Sequence, residues 1–215
     1  MKDHKIVFTG TPGAGKTTAI AALSDVPPVT TDVRNSDPGL AKEHTTVGLD
    51  FGQVDLGDGQ MVRLFGTPGQ MRFEFMWRIL AKDALGLVVL IDNSRPDPLA
   101  DLTTYLDAYK DVLPSMNAVI GVGRTLECPL PTLDDFTDLL NARNLVLPVL
   151  AVDVRQRDDV LMLVDVVLAQ AETRTRACSH QMSTVLIWCE QALETNLAST
   201  IAQTSLATSS SWPTR

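Results

Sequence analysis

Gly10-Thr11-Pro12-Gly13-Ala14-Gly15-Lys16-Thr17 fits the phosphate-loop pattern G-x-x-x-x-G-K-[ST] at every fixed position. Lys5 to Thr9 before it reads as a short β-branched strand, and Thr17 to Leu23 after it as a helix. Strand, loop and helix therefore arrive in the order that phosphate chemistry requires. Glycines let backbone N–H groups wrap a β-phosphate at the positive end of a helix, where a lysine can span the β- and γ-oxygens and a threonine hydroxyl can ligate Mg²⁺. The candidate nucleotide-binding residues are thus Gly10, Pro12, Gly13, Ala14, Gly15, Lys16, Thr17 and Thr18, with Thr17 also a candidate metal ligand. The expected ligand is a nucleoside di- or triphosphate. A glycine-rich turn with an incidental lysine would not need the whole pattern in this context.

A chain of 215 residues can form one α/β domain, burying about 70% of the surface its unfolded form exposes. Charged residues are 20%, apolar residues 45% and the formal net charge −8, which excludes a disordered or polybasic chain and argues against a nucleic-acid partner. The N-terminus runs into the first strand without an apolar signal segment, and no run of 18 apolar residues occurs. A cytoplasmic protein without a membrane span is expected. Cys128, Cys178 and Cys189 follow no metal spacing and leave one over in any pairing, as buried or idle thiols would.

Downstream of the first helix, 24–45 is polar and broken by Pro27, Pro28, Pro38 and Gly39, and reads as a long loop beside the nucleotide. Thr46 to Phe51 and Met61 to Phe65 read as two strands joined by the turn Gly57-Asp58-Gly59. Gly66-Thr67-Pro68-Gly69-Gln70 ends the second strand, and Arg72 to Leu80 has Phe73, Trp77 and Leu80 at helical spacing, a short helix expected to move. Leu85 to Ile91 is an unbroken apolar run closed by Asp92, suited to a parallel strand covered on both faces. Pro98 to Leu113 reads as a helix, 118–122 and 146–152 as buried strands, 133–140 as the helix between them, and the stretch from Asp158 as the closing helix. Strands alternate with helices after one hairpin. The expected fold is α/β, a mainly parallel six-stranded sheet with one antiparallel edge strand and helices on both faces, over residues 1–176.

From 177 to 215 lysine and aspartate vanish, Ser and Thr dominate, and Leu186, Leu193, Leu197 and Ile201 form one weak stripe. This C-terminal extension reads as weakly helical or disordered.

The order of motifs over roughly residues 5 to 171 resembles that of the Ras-like small GTPases, P-loop NTPases that switch between GTP- and GDP-bound states. Thr46-Val47-Gly48-Leu49-Asp50-Phe51 is similar to the effector-loop T-I-G-x-D-F of the Rab branch. The resemblance implies that Thr46 closes on Mg²⁺ and the γ-phosphate. Gly66-Thr67-Pro68-Gly69-Gln70 resembles D-x-x-G-Q with its aspartate replaced by Gly66, and with Phe73 to Trp77 it looks most like the bacterial gliding-motility and polarity GTPases. This implies that Gly69 touches the γ-phosphate, that Gln70 is the catalytic residue orienting the attacking water, and that the partners are a roadblock-type regulator and an effector. Where the family has [N/T]-K-x-D, this chain has Gly123-Arg124-Thr125-Leu126, with Glu127 one place late. Arg124 and Thr125 are the expected base contacts. Asp153-Val154-Arg155 stands where the family's S-A-K loop meets the base.

Three functions stay open on these residues. One is a GTP/GDP switch with slow hydrolysis; the second is a nucleotide-holding module with little or none. The third is an ATP-using P-loop enzyme in which Asp92 anchors Mg²⁺, although an aspartate capping a parallel strand explains that residue as well. Arg34, Arg72 and Arg95 are the candidates for a cis arginine finger, although a solvated surface charge is the better reading of each.

Overall fold

The computed structural model describes residues 2–29, 32–34, 44–46, 49–57 and 60–174. Its first strand β1 (Lys2–Gly10) is longer than the β-branched stretch alone suggests. It leads through the phosphate loop into α1 (Lys16–Leu23). The antiparallel hairpin is β4 (Asp50–Gly57) and β5 (Gln60–Gly66). A 3₁₀ turn, Met71–Phe73, then leads into α2 (Glu74–Ala81). The rest alternates: β6 (Gly86–Asp92), α3 (Pro98–Ala108), β7 (Asn117–Gly123), α4 (Leu133–Ala142), β8 (Val149–Ala151) and α5 (157–174).

The six strands order as β4-β5-β1-β6-β7-β8, with every pair parallel except β4–β5. This is the expected α/β sheet and is consistent with a P-loop NTPase fold. Period-2 alternation divides the core between its faces. Val7, Leu87, Val89, Ile91, Ile120 and Val122 meet α2, α3 and α4 through Trp77, Leu102, Tyr105 and Phe136. Ile6, Phe8, Val88, Leu90 and Val119 meet α1 and α5 through Ile20, Leu23, Val160, Leu163 and Val167. β6 is buried along its whole length, as its unbroken apolar run requires.

Some boundaries move for local reasons. α3 stops at Ala108, and the 3₁₀ turn Leu113–Ser115 carries the chain past Pro114; Tyr109 and Leu113 remain buried, so apolar spacing alone cannot reveal the break. β8 shrinks to three residues because Pro148 has no N–H for the ladder and Val146 is exposed. The 24–45 stretch is not wholly loop. It contributes β2 (Asp32–Arg34), and β3 (His44–Thr46) pairs with it antiparallel, Asp32 opposite Thr46. Thr46 therefore ends β3 rather than opening β4, and its side chain lies outside the described residues, as does the turn at 58–59.

The chain divides into two units, Met1–Ala171 and Glu172–Arg215. Of the second, only 172–174 are described, so the extension expected from 177, with Cys178 and Cys189, lies outside the described residues. Among the described residues no helix is long and apolar enough to cross a membrane.

Candidate functional site

The phosphate loop takes the shape its glycines allow. Gly13 and Gly15 have φ of 86° and 89°, left-handed values that favour glycine, and Gly15 is the N-cap of α1. Lys16, the first residue of that helix, is buried, and its Nζ donates to the carbonyls of Gly10 and Thr11, both at 2.8 Å. The ammonium is thereby folded over the concave face of the loop. Thr17 follows on α1, and its hydroxyl donates to Asp50 Oδ2 at 2.6 Å.

Asp50 sits opposite Gly66 in the β4–β5 register and is buried. A Cβ placed on Gly66 would lie 3.0 Å from Asp50 Cβ and 3.1 Å from its Oδ2. The space next to Thr17 that a side chain at Gly66 would use is therefore filled from the neighbouring strand. Hydroxyl and carboxylate oxygens are the hard donors that suit Mg²⁺, an ion that keeps several waters and takes phosphate oxygens as ligands. Thr17 with Asp50 fits such an ion. No group of three His, Cys, Asp or Glu suited to a metal occurs among the described residues.

The segment after β5 closes on the same loop. A Cβ on Gly69 would meet Pro12 N at 2.7 Å, Lys16 Nζ at 2.8 Å and the Gly10 carbonyl at 3.0 Å, so only glycine fits there. Gln70 follows, and among the described residues its buried amide oxygen has no partner. The buried Thr11 hydroxyl likewise has no partner among the described residues. The amide oxygen can accept from a water, and the hydroxyl can donate to a phosphate group entering the loop. Gly69 thus lies against Gly10, Pro12 and Lys16, and Gln70 follows it in the chain.

On the other side of the loop lies a cavity of about 440 Å³. Its walls are Gly13, Ala14, Gly15 and Thr18 from the loop, Gly123 to Glu127 after β7, and Ala151 to Arg155 after β8. Arg124 and Thr125 are among these lining residues. Arg124 stands in the left-handed region, φ 60°, and its Nη1 donates to Asp92 Oδ2 and, at 3.0 Å, to Ser94 Oγ. Asp92 also accepts from the Ser94 N–H at 3.0 Å and hydroxyl at 2.7 Å. Its carboxylate organises the strand end and the base-side loop. Leu126, where the family motif has aspartate, is 95% exposed and brings no polar group. The acidic residues that line the cavity are instead Asp92, Glu127, Asp153 and Asp159. Hydrogen bonds from Arg155 hold the Asp153 carboxyl below its ordinary range, and Asp159 accepts from the Asp153 N–H at 2.8 Å.

Sequence reasoning missed several of these residues. Asn93 fixes the 124–131 loop by donating to the carbonyls of Cys128 at 2.6 Å and Pro131 at 3.0 Å. Asp50 was legible in principle, since pairing the hairpin strands would have set it opposite the glycine that lacks a carboxylate. The arginine candidates are engaged: Arg95 forks onto Asp101, and Arg72 lies 4.9 Å from the Phe73 ring. Arg34 lies in β2, where the side chain is outside the described residues.

The chain is 31% identical over 91 residues to an uncharacterized protein of Methanocaldococcus jannaschii, covering 42% of this chain and 52% of that protein. It is 28% identical over 107 residues to intraflagellar transport protein 22 of Chlamydomonas reinhardtii, covering 49% of this chain and 53% of that protein. The chain spans about half the length of the curated relatives it matches. No protein-family model matches it. The homology to intraflagellar transport protein 22 is weak, and closeness to bacterial gliding-type proteins does not emerge from these matches.

Proposed function

We propose that this chain binds GTP and GDP with Mg²⁺ and works as a nucleotide-dependent switch that hydrolyses GTP slowly. The carrying observation is the approach of Gly69 to Lys16 Nζ and Pro12 N, which brings Gln70 to the loop mouth. The loop N–H groups and Lys16 hold the phosphates, Thr18 and the cavity beside Gly13 to Gly15 receive the nucleoside, and Arg124 and Thr125 border the base. Thr17 and, by family resemblance, Thr46 would hold the metal through their hydroxyls, with Asp50 orienting Thr17. The ion, when bound, neutralises charge on the β- and γ-oxygens. Gln70 orients the attacking water through its buried amide oxygen.

Phosphoryl transfer depends on positioning and charge stabilisation, so the engagement of Arg95 and Arg72 supports slow turnover, which a partner could raise by about 10³- to 10⁵-fold. Met71, Phe75 and Ile79 are exposed at spacings of four along the segment after Gln70. That stripe supports a regulator, of roadblock type by family resemblance, besides an effector in the cytoplasm. The ATP-using alternative needs Asp92 beside the metal, whereas Asp92 is tied to Arg124 and Ser94. Competition of ATP against labelled GTP tests the reading. GTP should be preferred, over a narrower margin than a site with a carboxylate at 126; equal or better competition by ATP would overturn it.

A further inference from the structure

The phosphate-facing loop 67–70 is held from behind by an aromatic layer that nothing in its motif announces. Trp77 on α2 is fully buried, and its indole Nε1 donates to the Pro68 carbonyl at 2.7 Å. Tyr105 on α3 is 2% exposed, and its hydroxyl donates to the Gly69 carbonyl at 3.2 Å. The two rings stack with centroids 4.7 Å apart, and Tyr109 also stacks with Trp77, at 6.3 Å. Beneath them, Tyr109 and Thr67 both donate to the Thr9 hydroxyl, at 3.2 and 3.0 Å.

In a trans peptide the C=O and the following N–H point in opposite directions. Fixing the Pro68 carbonyl toward Trp77 turns the Gly69 N–H away from the aromatic layer. Fixing the Gly69 carbonyl toward Tyr105 does the same for the Gln70 N–H. Every other donor of the loop is settled, since the Thr67 N–H reaches the Phe8 carbonyl at 2.9 Å and Pro68 has none. Among the described residues, neither the Gly69 nor the Gln70 N–H has an acceptor. Two adjacent donors are thus aimed outward from a segment that lies against Lys16 and Pro12. Burial, then the neighbouring Tyr109 and Asp101, push the Tyr105 hydroxyl far above its ordinary titration range, and burial does the same for Tyr109. Both remain protonated donors at any pH the fold meets.

We propose that Tyr105 and Trp77 are positioning residues that aim the Gly69 and Gln70 N–H groups at a terminal phosphate, so that α2 and α3 set the preference for triphosphate over diphosphate. This rests on the nucleotide reading above. It adds that the γ-phosphate response is controlled from a buried layer remote from the ligand.

The test uses the full-length chain and two conservative variants, Tyr105→Phe and Trp77→Phe, which keep a ring but remove the donor. Dissociation constants are measured for GDP and for the non-hydrolysable triphosphate guanylyl imidodiphosphate. Loss of one such donor should weaken triphosphate binding by about tenfold, with GDP affinity unchanged in both variants. Unchanged GDP binding also certifies that each variant is folded. A triphosphate-to-diphosphate ratio equal to the parent's, or an equal loss for both nucleotides, overturns the proposal and leaves the nucleotide reading standing. Failure of the parent chain to bind either nucleotide removes both.

Discussion

The phosphate loop and the cavity beside it, the phosphate side and the base side of the proposed site, are built on different principles. On the phosphate side the work falls to backbone and close approach: left-handed glycines, a buried lysine, and a glycine that a single Cβ would expel from contact with Pro12 and Lys16. On the base side the walls are exchangeable side chains, with Arg124 paired to Asp92, Asp153 paired to Arg155, and an exposed leucine where the resembling family places aspartate. A surface made from backbone admits almost no substitution and leaves a sharp trace in sequence. Side chains that only need to border a cavity can be exchanged, and leave a faint one.

The largest effect should come from Lys16→Ala. It should abolish measurable binding of labelled nucleotide while the chain stays folded, since Lys16 hydrogen-bonds to loop carbonyls rather than filling the core. Wild-type affinity in that variant would break the contrast at its strong end.

Asp50 and Gly66 sharpen it next. Asp50→Asn should weaken Mg²⁺ binding to the nucleotide complex by about 10- to 100-fold, as loss of an outer-shell carboxylate does, and EDTA should then change nucleotide release much less than in the parent. Gly66→Asp alone places a side chain into Asp50. Combined with Asp50→Gly it should recover much of the Mg²⁺ dependence, because the carboxylate returns from the other strand of the same pair. No recovery in the swap would mean that Asp50 serves the hairpin and not the ion.

Gln70→Leu should remove most single-turnover hydrolysis with little loss of GTP affinity, because the side chain acts on water rather than on ground-state phosphate. Parental hydrolysis in this variant, with and without a regulator, would favour the nucleotide-holding module.

The smallest effect belongs to the base side. Asp153 is held below its ordinary range by the Arg155 hydrogen bonds. A depressed carboxylate contributes stability that is present above its unfolded value and lost as pH falls through the folded one. At neutral pH the pair is intact, and only acid removes it. Arg155→Ala should return the Asp153 titration to the ordinary carboxylate range by NMR, with little change in melting temperature, because exposed pairs contribute little. A large thermal loss at neutral pH would show the base side to be as tightly built as the phosphate side.

Sheet class, the alternation of strands with helices and the phosphate loop were legible because each depends on local signals: the unbroken apolar run of β6, the helical spacing of Phe73, Trp77 and Leu80, the spacing of Gly10 to Thr17. What escaped depends on pairing across the sheet. Asp50 faces Gly66 only once β4 and β5 are in register, and Tyr105 reaches Gly69 from 36 residues away. The short β2–β3 ladder was hidden because Pro27, Pro28, Pro38 and Gly39 around it dominate the local composition. The end of α3 was hidden because Tyr109 and Leu113 stay buried whether the backbone is helix or turn.

The account stands most directly on which nucleotide the protein holds. Purified full-length chain, denatured and its released ligand resolved by ion-exchange chromatography, should yield GDP, GTP or a mixture of the two, and Lys16→Ala should yield none. Adenine nucleotide in the parent chain, or nucleotide retained equally by Lys16→Ala, would contradict it.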